Sequence, residues 1–131
     1  MVQVSREQSA VSAKILLVDD DQENLKALTL YLQLEGFVVE QAHDGFEALV
    51  KLDHENFDVV VSDIRMPGLN GVDLTKRIRY KLQSIPIVLM TGDPGFAALE
   101  AIDGVMCLLL KPVMPGELVK IIRTAFDGRE L

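Results

Sequence analysis

Residues 58–63 read Asp-Val-Val-Val-Ser-Asp, three consecutive valines running into a serine and an acid. The run at 58–62 (DVVVS), short and continuous with no polar residue alternating through its valines, fits a strand covered on both faces and ending just before Asp63. Four other short apolar runs accompany it: 14–18 (KILLV), 37–41 (FVVEQ), 85–90 (IPIVLM) and 105–110 (VMCLLL). The run at 37–41 is the most mixed, as suits the edge of a sheet.

Helical spacing fills the gaps between these runs. Leu25, Leu28 and Leu32 make one apolar stripe, Leu74, Ile78 and Leu82 a second, and Leu118, Ile121, Ile122, Ala125 and Phe126 a third. Gly36 stands where the first helix must stop, Asp44-Gly45 opens a helical stretch at 46–53, and Pro115 suits the first turn of the last helix. Strands alternating with helices predict a doubly wound α/β domain, a parallel sheet with right-handed crossovers. In such a sheet ligands gather at the carboxyl ends of the strands.

The bulk properties agree with one such domain. At 131 residues the chain suits a single core, and 49% hydrophobic with 25% charged residues is the composition of a globular protein. We expect a flexible tail at 1–13, the folded domain at 14–127 and a short tail at 128–131. The single Cys107 allows no disulfide within the chain and favours a reducing, cytoplasmic setting. A formal charge of −7, with no Lys/Arg cluster expected, argues against direct nucleic-acid binding. No run reaches the roughly 20 apolar residues of a membrane span, so no membrane role is expected. His43 and His54 read as surface residues, Cys107 as a small residue in a strand, and Met66, Met90, Met106 and Met114 as packing.

The strand ends carry the chemistry. The first run ends in Asp19-Asp20-Asp21, the third in Ser62-Asp63, the fourth in Thr91 and the fifth in Lys111-Pro112. Three successive carboxylates repel one another unless a cation offsets them. Oxygen donors of this kind suit Mg2+, which takes one or two carboxylates together with waters and a phosphate. Asp20 and Asp63 could supply those carboxylates. Asp63 is then placed as a nucleophile that attacks phosphorus to give an acyl phosphate. Phosphoryl transfer is mostly positioning and charge stabilisation, for which Thr91 offers a hydrogen bond and Lys111 a point charge. Taken singly, each group has a plain alternative: a solvated acidic loop, a helix cap, a turn threonine or a surface lysine. Four such groups at four strand ends are harder to dismiss.

The chain resembles the response-regulator receiver family of two-component signalling over roughly residues 14–127. VDDD at 18–21, SDIRMPGLNG at 62–71, MTG at 90–92 and LKP at 110–112 occur in the family's order. The resemblance implies a flavodoxin-like, five-stranded parallel sheet of order 2-1-3-4-5 with five helices. It implies Mg2+ held by Asp20, Asp63 and the backbone carbonyl of Arg65, with Asp19 supporting from behind. It implies phosphorylation of Asp63 by a sensor histidine kinase or phosphotransfer protein, a conformational shift that controls an output partner still unknown, and a cis Lys111-Pro112 bond. Homodimerisation is an option it leaves open. Such a protein is not an enzyme in the ordinary sense, since it catalyses only its own phosphorylation and dephosphorylation. Pro67 and Gly68 would form a tight turn beside the acceptor, and Gly71 would begin the next helix.

Two departures stand out. Leu108 occupies the place, three residues before the lysine, where receivers usually carry an aromatic that couples to the threonine. The segment between Thr91 and Lys111 is short, with a brief apolar helix expected at 96–102, so the usual dimer and output face is altered. We expect Phe96 and Leu99 to serve a different partner there, and Arg65 and Asp93 to pair across the site. A degenerate receiver that binds partners without phosphorylation is the alternative function. A dehalogenase-like phosphohydrolase is a weaker one, because its second acid would stand where Arg65 is.

Overall fold

A computed structural model describes residues 12–81, 84–97 and 104–130. Leu82, Leu99 and most of the helix expected at 96–102 lie outside them, as do residues 1–11 of the expected tail. The elements run β1 (Lys14–Val18), α1 (Gln22–Leu34), β2 (Val38–Ala42), α2 (Gly45–His54), β3 (Val59–Asp63), α3 (Gly71–Lys81), β4 (Ile87–Thr91), α4 (Pro94–Ala97), β5 (Cys107–Leu110) and α5 (Pro115–Glu130). Four of the helices are full-length, and α4 is a single turn among the described residues, so the expected set of five is met only in part. α5 continues to Glu130, past the Asp127 boundary expected from sequence. At the other end Ala13 is buried, and its carbonyl accepts from the Val38 amide.

The five strands are parallel in the order β2-β1-β3-β4-β5. Alternation along each strand splits the core into two layers. Ile15, Leu17, Val61, Val88 and Met90 face α1 and α5, packing on Leu25, Leu28, Leu32, Leu118 and Ile122. Leu16, Val18, Val60, Ile87 and Leu89 face α2 and α3, packing on Ala48, Leu52, Leu74 and Ile78. Burial of each such Leu or Ile side chain contributes about 1.5–3 kcal/mol, which makes the central strands the rigid part of the molecule.

Local signals set the helix boundaries. Gly36 takes φ +100°, which a side chain would resist, and its amide caps Gln33 while the Phe37 amide bonds the Leu32 carbonyl. Asp44 caps α2 by accepting from the Glu47 amide at 2.8 Å. His43 and His54 are exposed, and Cys107 is half-buried on the edge strand. Met66 and Met90 are core residues, whereas Met106 and Met114 are exposed, contrary to expectation. The expectation of no basic cluster also fails, since Lys76, Arg77 and Lys81 lie together on the exposed side of α3. No helix among the described residues is long and apolar enough to cross a membrane.

Candidate functional site

The carboxyl ends of β1, β3, β4 and β5 meet at one edge of the sheet. β1 hands over to Asp19, whose amide bonds the Ala42 carbonyl of β2, so its side chain is drawn fully inside, at 0% exposure. Its oxygens accept from the Asp21 amide at 3.0 Å and, at 3.4 Å, from the Asn24 side chain. Burial pushes the Asp19 carboxyl up. The Asp21 amide and the Lys111 ammonium pull it back down, and neighbouring Asp63 adds to the rise.

Asp63 closes β3 at 6% exposure, and its Oδ2 accepts from Lys111 Nζ at 3.1 Å. Lys111 lies 3.9 Å from Asp19 as well, so one ammonium faces two buried acids. Asp20 is exposed at the rim. Asp19, Asp20 and Asp63 each place a carboxylate oxygen within 4.8 Å of the others. One lysine cannot neutralise three carboxylates, and the donors are hard oxygens with no imidazole or thiolate among them. That set suits an oxygen-preferring divalent cation such as Mg2+.

Asp21 plays a different part from the one its place in the acidic run suggests. Its Oδ1 caps α1, accepting from the amides of Glu23 at 3.0 Å and Asn24 at 3.3 Å. An Asp just ahead of an apolar helical stripe is a readable capping signal, and it removes one acid from the repelling trio. Asn24, which touches Asp19, carried no sequence signal beyond its place in the first turn.

The β3–α3 connection is packed against the backbone of Asp63 and Ile64. The Gly71 amide bonds the Ile64 carbonyl at 2.8 Å, and a Cβ on Gly71 would sit 2.5 Å from the Asp63 carbonyl oxygen. Glycine is therefore required for the helix to start that close. Gly68 turns at φ +78°, in line with the tight turn expected beside the acceptor.

A cleft of about 670 Å³ opens above these groups, lined by Asp20, Asp21, Asp63, Arg65, Gly92, Asp93, Pro94 and Lys111. Arg65 Nη2 lies 3.2 Å from Asp93 Oδ2 across it, the pairing expected from sequence. Thr91 ends β4 but is 1% exposed and does not line the cleft, and its hydroxyl oxygen accepts from the Asp93 amide at 3.1 Å. The Lys111 amide bonds the Thr91 carbonyl at 2.7 Å, and the Lys111-Pro112 bond is cis.

Residues 15–123 match the family model described as the response regulator receiver domain. The chain belongs to the response-regulator receiver family. A CpxR homolog described as a transcriptional regulatory protein, from Haemophilus influenzae, is 42% identical over 118 residues, covering 85% of this chain and 49% of that protein. A receiver domain from Clostridium thermocellum superposes with a TM-score of 0.83 at 30% identity, covering 90% of this chain and 97% of that one. The response regulator TrrA from Thermotoga maritima, solved in complex with Mg2+ and BeF, gives 0.80 at 30% identity over 86% of this chain and 98% of that one. This receiver spans about half the length, or less, of the curated relatives it matches. It is a signalling domain of the two-component class, and its acidic cluster occupies the strand-end position that the fold reserves for ligands.

Proposed function

We propose that Asp63 is the phosphoryl acceptor of this receiver. The observation that carries the reading is the convergence on one carboxylate. Lys111 Nζ lies on its Oδ2 at 3.1 Å, and carboxylate oxygens of Asp19 and Asp20 lie within 4.8 Å of one of its own.

A phosphorylated imidazole on a partner kinase or phosphotransfer protein is the donor. A carboxylate oxygen of Asp63 attacks phosphorus, the new O–P bond forms as the P–N bond breaks, and the bond pair returns to the imidazole nitrogen. Asp20, Asp63 and the Arg65 carbonyl would hold Mg2+, which would supply positive charge to offset repulsion between carboxylate and phosphoryl oxygens. Lys111 holds one Asp63 oxygen and then shifts to the phosphoryl group as a point charge. Asp19, with its oxygens occupied by Asp21, Asn24 and Lys111, orients the site from behind. Thr91 keeps its own O–H for a phosphoryl oxygen, and reaching it requires a shift of the β4–α4 turn.

The phosphoryl group adds about −1.5 to −2 charge and three acceptor oxygens, enough to move Thr91 and Lys111 and redistribute two conformers of the domain. The output partner reads that shift, and a cytoplasmic setting belongs to the same reading. Every charged side chain the reaction needs is kept, which counts against a phosphorylation-independent binding module. A dehalogenase-like hydrolase is disfavoured because Arg65 stands where its second acid would be, turned toward Asp93.

Intact-mass measurement after incubation with acetyl phosphate and Mg2+ tests the reading. Wild type is expected to gain one phosphoryl group and Asp63→Asn none. No adduct on wild type, or an equal adduct on the variant, would sink it.

A further inference from the structure

We propose that the outward face of α3, built from Lys76, Arg77, Tyr80 and Lys81, docks an acidic segment of a partner protein. The four residues recur at helical spacing and share one side of the helix, while Leu74 and Ile78 on the other side are buried in the core. α3 carries four basic residues against one acid in a chain whose formal charge is −7. It is a local positive face on an acidic molecule.

These side chains are not spent on the fold. Among the described residues Lys76, Arg77 and Tyr80 make no ion pair or hydrogen bond, and Tyr80 stands 87% exposed. Among the described residues Lys81 reaches only Asp53, at 3.5 Å, in a pair exposed on both sides that a partner carboxylate can replace. Arg79, next in sequence, is used quite differently. It turns away to bond the Gly104 carbonyl through Nε at 3.0 Å and the Ile85 carbonyl through Nη2 at 2.6 Å. The contrast separates the basic residue that holds the fold from three that do not.

The face is also preorganised. α3 is fixed at its start by the Gly71 amide on Ile64, in its middle by Thr75 Oγ1 on the Gly71 carbonyl, and at its end by Arg79. Binding there orders side chains but not backbone, which lowers the cost of association. Tyr and Arg are the types that anchor protein interfaces, the one through a rigid ring with a polar tip and the other through a planar donor fork.

Charge complementarity selects the occupant. An 11-residue helix is roughly 16 Å long. A duplex carries a charge about every 1.7 Å and would overrun that length onto the acidic remainder of the molecule, whereas Asp73, in the first turn of α3, already bounds the basic residues on the N-terminal side. A short run of Glu or Asp fits within that length. The proposal goes beyond the phosphoacceptor reading and does not depend on it, since binding is measured on unphosphorylated protein.

The test is fluorescence anisotropy with a labelled peptide of about twelve residues, rich in Glu with one central Leu, at low ionic strength. The full chain is expected to bind it. Lys76→Glu/Arg77→Glu/Lys81→Glu is expected to weaken binding roughly tenfold or more. Lys76→Gln/Arg77→Gln, which removes charge without reversal, should show a smaller loss. Lys26→Glu/Lys120→Glu, on α1 and α5, should retain most of the affinity, and Tyr80→Ala should lose some. No binding by wild type, equal affinity in the triple variant, or a loss in the α1/α5 control as large as in the α3 variant overturns the proposal. Tighter binding of a DNA oligonucleotide of matched charge overturns it in favour of nucleic acid.

Discussion

Arg65 and Asp93 face each other across the cleft that Asp63 lines, Nη2 to Oδ2 3.2 Å apart. Both are solvent-accessible, so the pair contributes little to stability, on the order of 0–1 kcal/mol. Its consequence is positional. Asp93 also accepts from the Gly95 amide at 2.9 Å and donates its own amide to Thr91, so Arg65 is tied to the turn that carries the threonine.

If Asp63 carries an acyl phosphate as proposed, this pair lines the same cleft and stands over one approach of water to it. The Arg65→Ala/Asp93→Ala double variant is therefore expected to lose its phosphoryl group several-fold faster than wild type, with melting little changed. Phosphate release after removal of the donor measures it, and equal lifetimes would reject the shielding role.

Asp19 makes a pH-dependent prediction. Its folded-state carboxyl is raised, mainly by burial, so the folded protein holds the proton more tightly than the unfolded chain does. Stability then declines as pH rises from the unfolded carboxylate value, about 3.9, through the raised folded value, and the cost is fully present above it. In EDTA, Asp19→Asn should melt higher than wild type at neutral pH, by on the order of a few degrees. The gap should close as the pH is lowered through that window. A gap independent of pH would assign the effect to packing instead.

The sheet was legible because its signals are local and redundant. β1 begins and ends where its run of apolar residues does, and the stripes of α1, α3 and α5 point to Leu25, Leu28, Leu74, Ile78, Leu118 and Ile122, all buried. β3 and β4 each extend one residue further than expected, to Asp63 and Thr91, because the ladder to the neighbouring strand continues into the site. What sequence could not reveal depends on where side chains turn. Asp21 caps a helix, Thr91 is buried beneath the cleft, and Met106 and Met114 are exposed on or beside an edge that has no neighbouring strand. The basic face of α3 was there in the string of residues 76–81, but the net charge of the whole chain concealed it.

Gly71 and Gly92 form a matched pair for testing how tightly the segment after Asp63 is packed. A Cβ at Gly71 would meet the Asp63 carbonyl oxygen at 2.5 Å and Ile64 Cα at 2.8 Å, both backbone, whereas a Cβ at Gly92 meets nothing within 4 Å. Gly71→Ala is expected to destabilise by about 1–3 kcal/mol, as overpacking does, and to slow phosphorylation by displacing Asp63. Gly92→Ala should leave stability within about 0.5 kcal/mol of wild type. Urea midpoints measure both. Similar midpoints for the two variants would show that α3 can move away from Asp63 at little cost.

Cation binding should be visible in stability before any phosphoryl chemistry takes place. Asp19, Asp20 and Asp63 crowd three carboxylates together, with Lys111 facing only two of them, so a divalent ion that binds the folded cluster and not the unfolded chain stabilises the fold by RT ln(1 + [L]/Kd). At about 100 times Kd that is roughly 2.7 kcal/mol, several degrees in melting temperature for a domain of this size. Asp20→Asn should bind more weakly, and Asp63→Asn should respond little, because each removes a donor as well as a charge. Asp21→Asn is the informative control. Its Oδ1 is committed to the α1 amides, a role an Asn oxygen can also fill, so the variant should keep the helix cap and most of the Mg2+ response. An unchanged melting temperature of wild type in tens of millimolar Mg2+, a range chosen as ample for an oxygen-ligand site, would mean that these carboxylates do not bind the ion together.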